Sequence, residues 1–222
     1  MTFAIPAEAV NLYGKMKYRS ILLFGAPGSG KGTQGKMIGQ LPGFVHSSTG
    51  DLFRALDKKS EMGKIAAEYA DKGLLVPDDF TVRLWIGQME KLVAAGKFNR
   101  TTDMVVMDGI PRDVNQAKLL KDAVEVVKVI YLDAADLGKM VQRLKLRALK
   151  EGRADDADEA VIGNRMAVYA QETAPVLGYY DPALVVRVDA DRSILRIFAD
   201  IVATLVPAKE AREAAGEKAL AK

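Results

Sequence analysis

The sequence predicts an α/β protein built on a doubly wound parallel sheet of about five strands, and three observations predict it. Continuous apolar runs such as Ile21–Phe24, Met104–Met107 and Val126–Leu132 have the pattern of strands buried on both faces, not the alternation of a half-exposed sheet. Segments with helical apolar spacing separate those runs, so strands and helices alternate along the chain. The first run also breaks into Gly25-Ala26-Pro27-Gly28-Ser29-Gly30-Lys31-Gly32-Thr33, a glycine-rich turn with a lysine. This is how a buried strand passes into a phosphate-cradling loop ahead of a helix.

The elements follow in order. Residues before about Lys17 carry no periodicity and read as an N-terminal extension over 1–19. After the strand Ile21–Phe24, Thr33–Leu41 forms the helix that follows the loop. Gly43–His46 is a short strand with His46 at its end, and Ser47–Asp51 supplies caps for a helix to about Lys58. Glu61–Lys72 is helical and stops at Gly73, and Leu74-Leu75-Val76 runs extended into Pro77. Asp78 and Asp79 cap a helix over Phe80–Ala95, whose stripe of Val82, Trp85, Ile86, Met89, Leu92 and Val93 faces the core. The strand Met104–Met107 ends in the polar turn Asp108–Arg112. Val126–Leu132 is the next strand, and Asp136–Lys150 is a basic helix with Arg143 and Arg147 on one face. Glu151–Asp156 breaks it, and a helix resumes over Asp158–Thr173. Leu184–Val188 is the last strand and Ser193–Leu205 the last helix, leaving 208–222 as a charged tail. In such sheets ligands gather at the carboxyl ends of strands, where both the glycine loop and Asp108 fall.

Composition narrows the function. The 222 residues, 49% hydrophobic and 27% charged, suffice for one sizeable core with small inserted lobes. A net charge of +3 with bases and acids interspersed gives no stripe of the kind that binds nucleic acid. The lack of cysteine and the single histidine, His46, exclude disulfides, thiolate metal sites and a His-rich centre, and fit a reducing compartment. Met1–Val10 is interrupted by Pro6 and Glu8 with no basic segment before it. It is expected to be neither a signal peptide nor a membrane span, and the cytoplasm is the default location.

Four motifs then stand in a fixed order: Gly25–Gln34, Ser48-Thr49-Gly50-Asp51-Leu52-Phe53-Arg54, Gly73-Leu74-Leu75-Val76-Pro77-Asp78, and Asp108-Gly109-Ile110-Pro111-Arg112-Asp113-Val114-Asn115-Gln116. Together they closely resemble the adenylate kinase family, over about Ser20 to Leu205. Gly152-Arg153-Ala154-Asp155-Asp156 is similar to the family's short lid, which lacks the zinc-binding insertion, so no zinc is expected. The resemblance implies reversible transfer of a phosphoryl group from MgATP to AMP, giving two ADP. It implies one kinase domain over 20–207, with an acceptor-binding lobe at 48–77 and a lid at 147–158, acting as a monomer on small nucleotides without nucleic acid or membrane partners.

Carried over residue by residue, the resemblance assigns ATP to Gly28, Ser29, Gly30, Lys31, Gly32 and Thr33, with Arg143 over the adenine and Arg147 and Arg192 nearby. AMP falls to Thr49, Arg54, Leu74, Leu75, Val76, Gly109, Ile110, Pro111, Arg112 and Gln116, with Arg153 and Arg165. Lys31, Arg112, Arg147, Arg153 and Arg165 would be catalytic, and Asp155 and Asp156 would lock the closed lid. Asp108 would hold Mg²⁺ through water, since Gly32 stands where the usual loop has a Ser or Thr ligand.

These roles have a physical logic. Bringing two nucleotides' phosphates together concentrates negative charge, and guanidinium forks bind phosphate oxygens bidentately and stay charged at working pH. One such arginine alone reads as a solvated helix residue; six at family positions reverse that weighting. No general base is required, because the acceptor oxygen is already anionic. The Gln116 carboxamide offers a donor and an acceptor suited to the adenine edge, and the related uridylate/cytidylate kinases typically carry alanine at the place of Thr49. A UMP/CMP kinase, and a P-loop ATPase or nucleotide-binding adaptor that no longer transfers phosphate, stand as alternatives. The loop Val188-Asp189-Ala190-Asp191-Arg192 lacks the glycine usual in the family, which leaves the donor base open.

Overall fold

The strand that leads into the glycine loop, β1 (Tyr18–Phe24), divides its side chains between two cores. Leu22 and Phe24 join Trp85, Met89, Val105 and Met107 on one side of the sheet. Ile21 and Leu23 join Ile38, Val106, Ile130, Leu132 and Ile201 on the other. The two-residue period of a strand sends neighbours to opposite faces, so a continuous apolar run needs cover on both, and the helices supply it.

This computed structural model describes residues 16–220, with side chains through residue 211 except at position 154; the expected N-terminal extension lies mostly outside the described residues. After β1 come α1 (Lys31–Ile38), β2 (Phe44–Ser48), α2 (Thr49–Arg54), α3 (Glu61–Asp71), α4 (Asp78–Ala94), β3 (Met104–Asp108), α5 (Val114–Leu120), β4 (Val124–Asp133), α6 (Leu137–Glu151), α7 (Glu159–Val168), β5 (Val185–Asp189) and α8 (Ile194–Leu220). The strands lie in the order β2-β3-β1-β4-β5, and every neighbouring pair is parallel. The chain leaves β1 for β2 on one flank and leaves β3 for β4 on the other, so the crevice between β1 and β3 is the topological switch point. Leu23 pairs with Asp108 across that crevice, which sets the glycine loop beside the Asp108 turn.

Four expectations about the helices change. Residues 114–120 form a helix that periodicity did not indicate; its N-cap, Asp113, accepts a hydrogen bond from the Gln116 amide, the start of a capping box. The expected helix to Lys58 stops at Arg54, and the chain turns through Asp57–Ser60, where Ser60 caps α3. The expected helix Asp158–Thr173 is α-helical only to Val168 and then widens into a π-turn at Tyr169–Thr173. The final helix runs through Pro207 to Leu220, because the Ala, Glu and Lys of the charged tail are strong helix formers. No helix among the described residues is long and apolar enough to cross a membrane.

Candidate active site

The glycine loop closes over the carboxyl end of β1. Gly30 caps α1 from the left-handed region (φ 100) and no side chain caps the first turn, so that turn's N–H groups are left for an anion. Gly28 is also left-handed (φ 84), and a Cβ there would stand 2.5 Å from the Met140 carbonyl oxygen; only glycine lets the loop pack against α6. Ser29 is buried with no partner for its Oγ.

Lys31 Nζ donates to the Gly25 carbonyl at 2.6 Å and to the Ala26 carbonyl at 3.1 Å. Burial is the main cause that brings its ammonium down to about 8; Asp108 opposes the shift, and the charges of Arg112, Arg165 and Arg147 add to it. Asp108 is itself buried at the end of β3. Burial pushes its carboxyl up, yet His46, Lys31 and Arg112 outweigh that and hold it below the ordinary carboxylate range. His46 lies within β2 rather than at its end, and its Nε2 stands 3.4 Å from Asp108 Oδ2 without good hydrogen-bond geometry. No local pattern signals that contact; it arises from the pairing of β2 with β3.

A cleft of about 440 Å³ opens beside the loop, lined by Arg54, Leu74, Leu75, Val76, Gly109, Arg112, Gln116, Arg153 and Arg165, within the size range of small-molecule sites. A smaller one of about 60 Å³ touches Gly25, Pro27, Lys31, Gly109, Pro111, Arg112 and Arg165. Arg112 and Arg165 therefore belong to both, and join the lysine of the loop to the larger cleft. Arg112 Nε donates to the Gly109 carbonyl at 3.0 Å, with Ile110 buried behind the turn and the Ile110–Pro111 bond cis. Desolvation and the charge of Arg165 lower its guanidinium.

Arg147 and Arg165 meet the paired aspartates Asp155 and Asp156. Asp156, fully buried, accepts from Arg147 Nε at 2.6 Å and Nη2 at 2.9 Å, and from Arg165 Nη1 at 2.5 Å. Arg165 Nη1 also donates to Asp155 Oδ2 at 2.8 Å. Arg153 donates to Glu151 at 2.7 Å and stands 3.9 Å from Asp51, the partner of Arg54. Arg143 reaches Ala190 O at 3.2 Å and Gly28 O at 3.5 Å, bridging the loop after β5 to the glycine loop. Several predicted site residues stand outside the linings of these two clefts: Arg192, held by Asp189 and Asp200, Thr33, exposed in the first turn of α1, and Thr49, Arg143, Arg147 and the loop residues Gly28, Ser29, Gly30 and Gly32. Thr49, buried, donates to the Gly109 carbonyl at 2.8 Å and thus anchors the Asp108–Gly109 turn.

Sequence reasoning missed a carboxyl pair. Asp78, the first residue of α4, and Asp113, the cap of α5, hydrogen-bond each other; burial, then this contact, raises Asp113 to about 6, while hydrogen bonds from Asp113, Asn115 and Gln116 outweigh desolvation and hold Asp78 low. The two titrate as one pair around a shared proton. Because the Asp113 value is raised, the stability it lends is complete below about 3.8 and lost as pH rises through about 6. Asp113→Asn keeps the cap and offers Asp78 an N–H in place of that proton. Its stability relative to the parent should grow by about 1 kcal/mol between pH 5 and pH 8, discounted for partial exposure. Urea denaturation at the two pH values checks this, and a gap that stays flat would mean no proton is shared.

Fold and site define a P-loop nucleotide-binding protein whose glycine loop faces an arginine-lined second cleft. A family model described as adenylate kinase matches residues 23–184. An adenylate kinase of Flavobacterium psychrophilum is 40% identical over 168 residues, 72% of this chain and 84% of that protein. One of Kocuria rhizophila is 39% identical over 191 residues, 83% of this chain and 97% of that protein. One of Phocaeicola vulgatus is 36% identical over 193 residues, with 84% and 97% covered. The chain belongs to the adenylate kinase family.

Proposed function

We propose that the protein transfers a phosphoryl group reversibly from MgATP to AMP, giving two ADP. The observation that carries this reading is that Arg112 and Arg165 line both the cleft at the glycine loop and the larger cleft beside it, so one pair of guanidinium groups can hold the phosphates of two nucleotides at once. Positioning and electrostatic stabilisation are most of what such a transfer requires. In this reading the loop N–H groups and Lys31 hold the donor's phosphates, Arg54 and Arg112 hold the acceptor's, and Arg147, Arg153 and Arg165 close over the migrating group. Arg143 lies against the donor's base, and Gln116 faces the acceptor's.

The residues present fit Mg²⁺ brought in with ATP. Asp108 offers one carboxylate beside the loop, and among the described residues no group of three acidic or histidine side chains could cage an ion. That suits an ion held by phosphates, water and a single carboxylate. When bound, Mg²⁺ would offset charge on the β- and γ-phosphates. The 48–77 lobe and the 147–158 lid are proposed to close on their substrates; Arg153 of the lid stands 3.9 Å from Asp51 of the lobe, and beyond the lid Asn164 Nδ2 of α7 donates to Lys72 O at 3.1 Å. The enzyme is taken to act as a cytoplasmic monomer, in keeping with its cysteine-free composition.

A coupled assay tests the reading. ADP should form from MgATP plus AMP, with no comparable turnover of MgATP alone. ATP hydrolysis without AMP dependence would favour a simple ATPase, and equal use of CMP or UMP would favour a pyrimidine monophosphate kinase. A bisubstrate mimic joining two adenosines through a phosphate chain should protect both 48–77 and 147–158 from hydrogen exchange; protection confined to the glycine loop would exclude two-sided closure.

A further inference from the structure

We propose that Asp78 is a positioning residue that fixes which way the Gln116 carboxamide faces, and thereby selects a 6-amino purine over a 6-oxo purine at the acceptor cleft. The inference rests on the reading that Gln116 meets the acceptor's base. Gln116 lines the cleft yet is only 1% exposed, and both ends of its carboxamide are engaged. Its Oε1 accepts from the Arg112 backbone N–H at 2.9 Å, and its Nε2 donates to Asp78 Oδ1 at 3.0 Å. The other Asp78 oxygen, Oδ2, accepts from Asn115 Nδ2 at 2.6 Å.

A backbone N–H can only donate and an ionised carboxylate can only accept. Turning the carboxamide over would set its NH₂ against the Arg112 N–H and its oxygen against the Asp78 carboxylate. Both contacts would be repulsive, in a buried place where unpaired polar groups are costly. The orientation is thus locked at two points, and Asp78 is the one made by a side chain. Asp78 stays an acceptor after Asp113 has lost its proton, because its own carboxyl is held below the ordinary carboxylate range and Asn115 and Gln116 both donate to it.

With those bonds made, the carboxamide keeps one N–H and one oxygen lone pair. A 6-amino purine presents an N–H beside a ring-nitrogen acceptor, which this pair can meet. A 6-oxo purine presents a carbonyl beside a ring N–H, the reverse order, and would be met only by the carboxamide turned over. A site built to pair polar groups discriminates strongly against a partner with the order inverted. Asp78 acts on the base at one remove, through Gln116.

The test measures kcat/KM for AMP and for IMP at saturating MgATP in the parent, Asp78→Asn, Gln116→Ala and the double variant. An asparagine at 78 can present oxygen or NH₂ to Gln116, so the turned-over carboxamide is no longer excluded on that side. The AMP-to-IMP ratio should fall at least about tenfold in Asp78→Asn, with KM for AMP raised and KM for MgATP moved less than about twofold. Gln116→Ala should lower the ratio at least as far, and Asp78→Asn should add nothing in that background. Asp78→Ser repeats the comparison should Asp78→Asn fold poorly. If Gln116→Ala collapses the ratio while both Asp78 variants keep the parent's value, or if the two changes are additive, the positioning role is overturned and the reading of Gln116 stands. If Gln116→Ala itself leaves the ratio unchanged, that reading falls and the proposal with it.

Discussion

Arg112→Ala is expected to lower the turnover of MgATP plus AMP by about a hundred- to a thousandfold, and Lys31→Ala by a similar factor. Both side chains aim charge at the place where the two clefts join, and a preorganised donor removed from such a place raises the barrier by several kcal/mol. The folded protein should tolerate the change. Burial first, then the charges of Arg165 and Arg54, depress the Arg112 guanidinium against the opposing Asp108 and Asp155, so removing the side chain relieves a buried charge as well as its repulsion. Melting temperatures at or above the parent's, together with collapsed kcat, are the expected pair of results. Near-parental ADP formation by either purified variant would sink the assignment.

Asp156→Ala is expected to loosen the lid by about 3 kcal/mol, because it leaves the buried ends of Arg147 and Arg165 without their shared carboxylate. The network is local, joining the end of α6 to α7 through the turn at Ala154–Asp156. The loss should therefore appear as lid opening before it appears as global unfolding, with amide protection over 147–165 falling by about two orders of magnitude. Desolvation of Asp156 is outweighed by Arg147 and Arg165, which hold its carboxyl below the usual 3.8. Its contribution is therefore complete above that pH and is lost as pH falls through the folded value. Protection in parent and variant should converge in acid. Unchanged protection at pH 7 would show that the arginines do not depend on this carboxylate.

Much of this architecture was legible in the sequence because burial on two faces writes itself as apolar runs. Ile21–Phe24 and Met104–Met107 could be placed as central strands, and the order of motifs carried the clefts. What could not be read is contact between elements far apart in the chain. The 37- and 38-residue gaps that separate Asp78 from Asn115 and Gln116 leave no local pattern, and neither does the approach of His46 to Asp108. The helix at 114–120 was legible in principle, since an aspartate three residues before a glutamine is a helix-start signal; its seven residues, about two turns, gave too little periodicity to show. Here the glutamine's carboxamide is drawn away from the cap to the Arg112 N–H, so the local motif carries a tertiary purpose. Thr49 is the opposite case, a residue read as touching the acceptor's base whose hydroxyl the fold turns to the Gly109 carbonyl.

The depressed ammonium of Lys31 gives nucleotide binding a proton ledger. With no ligand, Lys31 holds its proton only up to about pH 8, whereas the phosphates of a bound nucleotide would restore its ordinary hold. Above pH 8 each binding event must therefore draw a proton from the buffer, and donor affinity should fall as pH rises. Titration calorimetry in two buffers of unlike ionisation heat would show it, as an apparent enthalpy that depends on the buffer at pH 9 and not at pH 7. The site thus stores a demand for negative charge while it stands empty, and that demand couples the protein's ligand affinity to the acidity of its surroundings.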